Sequence, residues 1–233
     1  MNIQFGMTKL IQAIAEWVTR LALTNMMWLL FNVPVILFSV NLAFAETRQE
    51  MISIIGILFI LAPFITFPAT GALFAVVRRW TMEDTTIAVF KSYIRYWKQH
   101  YKQSIIAGLI IEVFWMIYAI DYYYFTTQIS SSLALVFIML GIVFLMITLF
   151  FICSLVHDEL SMMNLMKNAI IMVITNPIVT VSIGVFNLSI LYISFRYAPY
   201  LIVFFLGSLI AFVTFSVFYK IHKKVELIKK DSI

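Results

Sequence analysis

Residues 67–104 read FPATGALFAVVRRWTMEDTTIAVFKSYIRYWKQHYKQS. The stretch begins apolar, meets the pair Arg78-Arg79, and continues as a basic, aromatic segment. An apolar run that stops at arginines and passes into tryptophan, tyrosine and lysine reads as a helix leaving the hydrocarbon for the headgroup region. The rest of the chain fits that reading. Of 233 residues, 63% are hydrophobic and 12% are charged, and the mean hydropathy is +1.01. A soluble domain carries about 25% charged residues, so the bilayer is the expected solvent.

Six apolar runs approach the roughly 20 residues that cross hydrocarbon. They lie near 21–43, 52–77, 104–120, 132–156, 169–193 and 200–219. The expected fold is all-α, a polytopic transmembrane helix bundle of six spans forming one membrane domain, with five spans as the alternative count. The basic residues orient it. With the N-terminus inside, 14 of the 16 lysines and arginines lie on the inner side, and only Arg48 and Arg196 lie outside. That bias places both termini in the cytoplasm. It also accounts for the net charge of +5 without invoking nucleic acid. Ala43-Phe44-Ala45 has the spacing of a signal-peptidase site, but the apolar run before it is too long for a signal-peptide core and holds Pro34. The first helix is therefore expected to remain uncleaved.

Taken as a helix, 85–103 places Ile87, Phe90, Ile94, Trp97 and Tyr101 on one face. Lys91, Arg95, Lys98 and Lys102 follow the same spacing beside it. An apolar aromatic stripe bordered by cations suits an interfacial amphipathic helix on anionic lipid, with Asp84 or Thr85 as its cap. The same helix could dock a partner protein. The preceding span carries Pro63 and Pro68, and Ala69, Gly71, Ala72 and Ala75 are small residues at helical spacing. In lipid such residues let helix backbones approach closely, so helix packing is their expected role.

Asn25-Met26-Met27-Trp28-Leu29-Leu30-Phe31 followed by Pro34 is the first part of a longer pattern. The second is Pro68-Ala69-Thr70-Gly71-Ala72-Leu73-Phe74-Ala75-Val76-Val77-Arg78-Arg79-Trp80, leading into the aromatic lysine segment. Together with Met166-Lys167-Asn168-Ala169, this resembles the YesL-like family of bacterial integral membrane proteins, a domain of unknown function. The resemblance is strongest over 21–104. It implies a setting beside carbohydrate ABC import systems, and it implies no catalytic residues.

Few residues could carry chemistry. Glu112 is the ionisable group well inside a span, about 12 Å beyond Ser104 at helical rise. A carboxylate there needs pairing, protonation or water. It is read either as a hydrogen-bond partner of Asn25, Asn32 or Asn187 or as a proton or cation site. His157-Asp158-Glu159 holds metal-capable side chains, but neighbours within a helix cannot converge on one metal, so a solvated helix end or capping turn is expected there. Asp121 and Tyr122 to Tyr124 read as an aromatic belt. Cys153 is the single cysteine, which excludes an intrachain disulfide and fits a small packing residue. No GxxxxGK[ST] or GxSxG motif occurs. No enzyme, cofactor or metal is expected.

Two main functions remain open. One is a non-enzymatic accessory or regulatory component of a carbohydrate ABC importer; the other is a transporter or permease subunit that moves a small solute itself. A lipid-holding structural protein is a third class. Glu159, Ile174 and Pro177 fall at the spacing of the loop by which importer permeases dock their ATPase. Leu165, however, replaces that loop's turn-forming glycine, so the match is read as coincidence.

Overall fold

A computed structural model describes the backbone over residues 2–82 and 88–231 and the side chains over 9–82 and 88–225. The expected cap at Asp84 or Thr85, and Ile87, lie outside the described residues. Helices make up nearly all of the described chain: α1 Asn2–Phe31, α2 Val33–Ala43, α3 Arg48–Leu61, α4 Phe67–Thr81, α5 Val89–Tyr124, α6 Leu133–His157, α7 Met162–Thr175, α8 Pro177–Arg196, α9 Tyr200–Phe204 and α10 Leu206–Asp231. The fold is an all-α helical bundle.

Among the described residues, four helical rods are long and apolar enough to cross a membrane: Arg48–Thr81, Val89–Ile129, Leu133–His157 and Pro177–Arg196. A bent pair, Lys9–Phe31 with Val33–Ala43, makes a fifth if counted as one span. Two of the six apolar runs are interrupted, so the described residues show four such helices or, with the bent pair, the alternative count of five. The first bends by 74° between α1 and α2. Pro34 lacks an N–H there and crowds the preceding turn. Asn32 Nδ2 donates to the Trp28 carbonyl at 2.8 Å, beside the Asn32 backbone N–H, which donates to the same oxygen at 3.1 Å. The last run breaks at Phe205, between α9 and α10.

Asn25 of α1 closes that second break. Its Nδ2 donates to the carbonyls of Ile202 and Val203 at 2.9 and 2.7 Å. Its Oδ1 accepts from the N–H groups of Gly207 and Ser208 at 2.8 and 3.2 Å. One carboxamide offers donors and acceptors together, and a broken helix leaves groups of both kinds unserved. Asn187 of α8 donates to Thr214 Oγ1 of α10 at 3.0 Å, which adds a buried polar tie on the same helix.

α3 and α4 form one rod through a π-helical turn, Ala62–Thr66. Pro63 in that turn and Pro68 just after it explain the distortion, since each removes a helical donor. The α4 half is the centre of the bundle. Pro68, Ala69, Gly71, Ala72, Leu73, Phe74, Ala75, Val76, Val77 and Trp80 are all buried. Seven of them, Ala72 to Val77 and Trp80, join a single apolar cluster with residues of α1, α5, α6, α7, α8 and α10. The close approach of α5 to this rod requires glycine at two positions. A Cβ on Gly71 would lie 2.7 Å from Ser104 Oγ, and one on Gly108 would lie 2.8 Å from Phe67 and 3.0 Å from the Pro63 Cα.

α5 corrects the expectation of a separate interfacial helix over 85–103 followed by a span from 104. It runs unbroken for 36 residues, because Lys102-Gln103-Ser104 holds no proline or glycine to stop it. At 1.5 Å per residue the helix is about 54 Å long, against about 30 Å of hydrocarbon. It is long enough for a span and several further turns, and its first turns carry the basic residues.

Candidate functional site at the basic end of the bundle

The C-terminal turn of α4, the first turns of α5, the end of α6 and the middle of α10 meet at one end of the molecule. Cations at the last turn of α4 sit where the helix dipole favours them. Arg79 Nε donates to Tyr96 Oη of α5 at 3.0 Å. Arg95 donates to the same oxygen at 3.3 Å and lies 5.1 Å from the centre of the Tyr96 ring. Arg78 Nε donates to His157 Nδ1 at 3.2 Å. The His157 ring is walled by Phe215, Phe218, Tyr219 and His222, with centroids 4.8 to 6.0 Å away. His222 Nε2 lies 3.8 Å from Asp158 Oδ1. His157, Asp158 and His222 are all part-buried.

The expectation that His157 and Asp158 diverge as helix neighbours is corrected here. α6 ends at His157, and Asp158 is extended, with φ −104° and ψ 137°. The two side chains therefore leave the helical spacing and meet the same partner on α10. His222 went unread in the sequence, hidden in a basic tail 64 residues downstream. The available signal was its spacing from Phe215 and Phe218, which are fully buried on the same helix.

The four basic residues of α5, Lys91, Arg95, Lys98 and Lys102, are all exposed. The aromatic stripe beside them packs on protein. Trp97 is half-buried, its ring 5.2 Å from Phe31 and 4.8 Å from Tyr101. The most deeply buried rings here belong to Tyr93 and Tyr96, and Tyr93 Oη donates to the Ala69 carbonyl at 2.7 Å. The buried face is therefore offset by one position from the stripe read in the sequence, and Phe90 is exposed. α5 is seated through its aromatics, with its cations turned outward.

Glu112 lies within α5 and is 8% exposed. It has no hydrogen-bond or ion-pair partner among the described residues. The asparagines expected beside it are engaged elsewhere: Asn25 at the α9–α10 break, Asn32 at the α1–α2 bend and Asn187 on Thr214. The segment compared with a permease docking loop forms one uninterrupted helix, α7, in which Leu165 is buried. No turn occurs where a docking loop would have one.

These features define a multi-pass helical membrane protein in which Arg78, Arg79, Arg95, His157, Asp158 and His222 gather at one end. Residues 21–122 match a family model described as "Protein of unknown function, DUF624". The chain is 24% identical over 187 residues to "Uncharacterized protein YesL" of Bacillus subtilis (strain 168), covering 77% of this chain and 87% of that one. It is 24% identical over 213 residues to "Uncharacterized protein YteU" of the same organism, covering 91% and 84%. The chain is thus similar to YesL-like proteins, and the stretch that matches the family model runs from α1 into the last turn of α5. No solved structure matches it.

Proposed function

We propose that this protein is a non-enzymatic accessory component of the bacterial cell membrane, docking a subunit of a carbohydrate ABC importer at its basic end. The observation that carries the reading is the outward row Lys91, Arg95, Lys98 and Lys102 on a helix whose aromatic side is already seated. A charged face held on a rigid rod is suited to an acidic partner surface, because its orientation is fixed before contact. The setting beside sugar importers comes from the family resemblance. In this reading both termini are cytoplasmic, and the same cations meet anionic headgroups where no partner covers them.

The test is gentle solubilisation of native membranes through a tag on the chain, followed by identification of what co-purifies. Importer subunits are expected with the wild type and should be lost when the four basic residues are changed to glutamine. Recovery of the protein with lipid alone would overturn docking. One observation favours the second reading, a self-contained transporter: Glu112 is buried in a span and has no hydrogen-bond or ion-pair partner among the described residues. Under that reading Glu112→Gln abolishes solute uptake into vesicles while the fold persists.

A further inference from the structure

His157, Asp158 and His222 each present one ligating atom, and the three atoms lie within 4.8 Å of one another. Two imidazoles and a carboxylate form a donor set that first-row divalent transition ions accept, with coordination positions left open. The end of α6 supplies two of the ligands and α10 supplies the third, so an ion here would bridge two helices.

Arg78 is the informative neighbour. Its Nε–H can only donate, so the His157 Nδ1 that it contacts must carry the ring's lone pair. A neutral imidazole has one such lone pair. An ion bound at His157 must therefore either take Nδ1 from Arg78 or draw the lone pair to Nε2. Both outcomes end the Arg78 hydrogen bond. Asp158 and, more weakly, Glu159 are the acidic groups that act on the Arg78 charge, so Glu159 is the one left to it when Asp158 binds an ion.

We propose that His157, Asp158 and His222 form a binding site for a divalent first-row transition ion, and that the ion competes with Arg78 for His157. Loading the site removes the Arg78–His157 hydrogen bond between the ends of α4 and α6. This inference does not rest on the docking of an importer.

The experiment uses the full chain, purified in detergent through a tag without histidines. Zn2+ is titrated calorimetrically and Co2+ by its visible absorption. One equivalent is expected to bind. His157→Gln and His222→Gln should each weaken Zn2+ at least about tenfold, the scale on which metal sites respond to lost supporting contacts. Arg78→Gln should tighten Zn2+, since it removes both a competitor and a nearby positive charge. Absence of Zn2+ uptake, or uptake indifferent to both histidine changes, overturns the site. Unchanged or weaker binding in Arg78→Gln overturns the competition. If a histidine variant fails to fold, X-ray absorption on Zn2+-loaded wild type decides the matter: two imidazole ligands support the site and none overturns it.

Discussion

The rod Arg48–Thr81 contains two halves with opposite fates. α3 buries no side chain, while α4 buries ten. Apolarity does not separate them, because Met51–Leu61 is almost wholly apolar. What separates them is side-chain size. In lipid an isoleucine gains little by exchanging acyl chains for protein, whereas alanine and glycine let a neighbouring backbone come close. α4 carries Ala69, Gly71, Ala72 and Ala75, and it collects α1, α5, α6 and α10 around them. α3 carries bulky side chains, and a Cβ on its Gly56 would meet nothing within 4 Å. α6 is likewise divided, with its buried residues beginning at Met146, but its buried half is filled mostly by large side chains such as Phe150, Phe151 and Leu155.

Three sets of substitutions would break or sharpen this contrast, each read as a shift in reversible unfolding in mixed detergent. The largest loss is expected from Asn25→Leu. It strips the partners from four backbone groups beside α4, at roughly 3 kcal/mol or more in total. A loss near zero would mean that the packed end is not held by that junction. Next come the glycines. Gly71→Val and Gly108→Val force overpacking against Ser104, Phe67 and Pro63, at about 1–3 kcal/mol each. Gly56→Val in the exposed half should stay within about 0.5 kcal/mol. Equal losses at all three would remove the distinction between the halves. The smallest effects compare two tyrosines with similar hydrogen bonds. Tyr93 and Tyr118 each donate to a carbonyl at 2.7 Å, but Tyr93 is fully buried and Tyr118 is only half-buried. Tyr93→Phe should cost about 1 kcal/mol and Tyr118→Phe about half of that.

How much the sequence disclosed follows from which interactions are local. The apolar runs, the prolines and the small residues of α4 act within a few turns, so the helical membrane fold and the residues of its packed half could be read directly. The continuity of α5 was also local, since nothing in Lys102-Gln103-Ser104 ends a helix, but the change from basic to apolar composition was taken for a boundary. Composition marks where a helix changes solvent, and a helix can change solvent without ending. The remaining features depend on distant residues. His222 reaches Asp158 across 64 residues, and Asn25 serves the backbone near residue 207. No spacing rule links such positions, because the bundle's packing brings them together.

The Asn25 junction also has a consequence for synthesis. The carboxamide belongs to α1, and Gly207 lies 182 residues later. At a translation rate of about 5–20 residues per second, the asparagine waits on the order of 10–40 s for its partners. During that interval a polar group in α1 must be served by water, lipid headgroups or the insertion machinery. The α9–α10 segment then acts as a clasp, and a chain halted before Tyr200 would leave the Asn25 carboxamide without these partners.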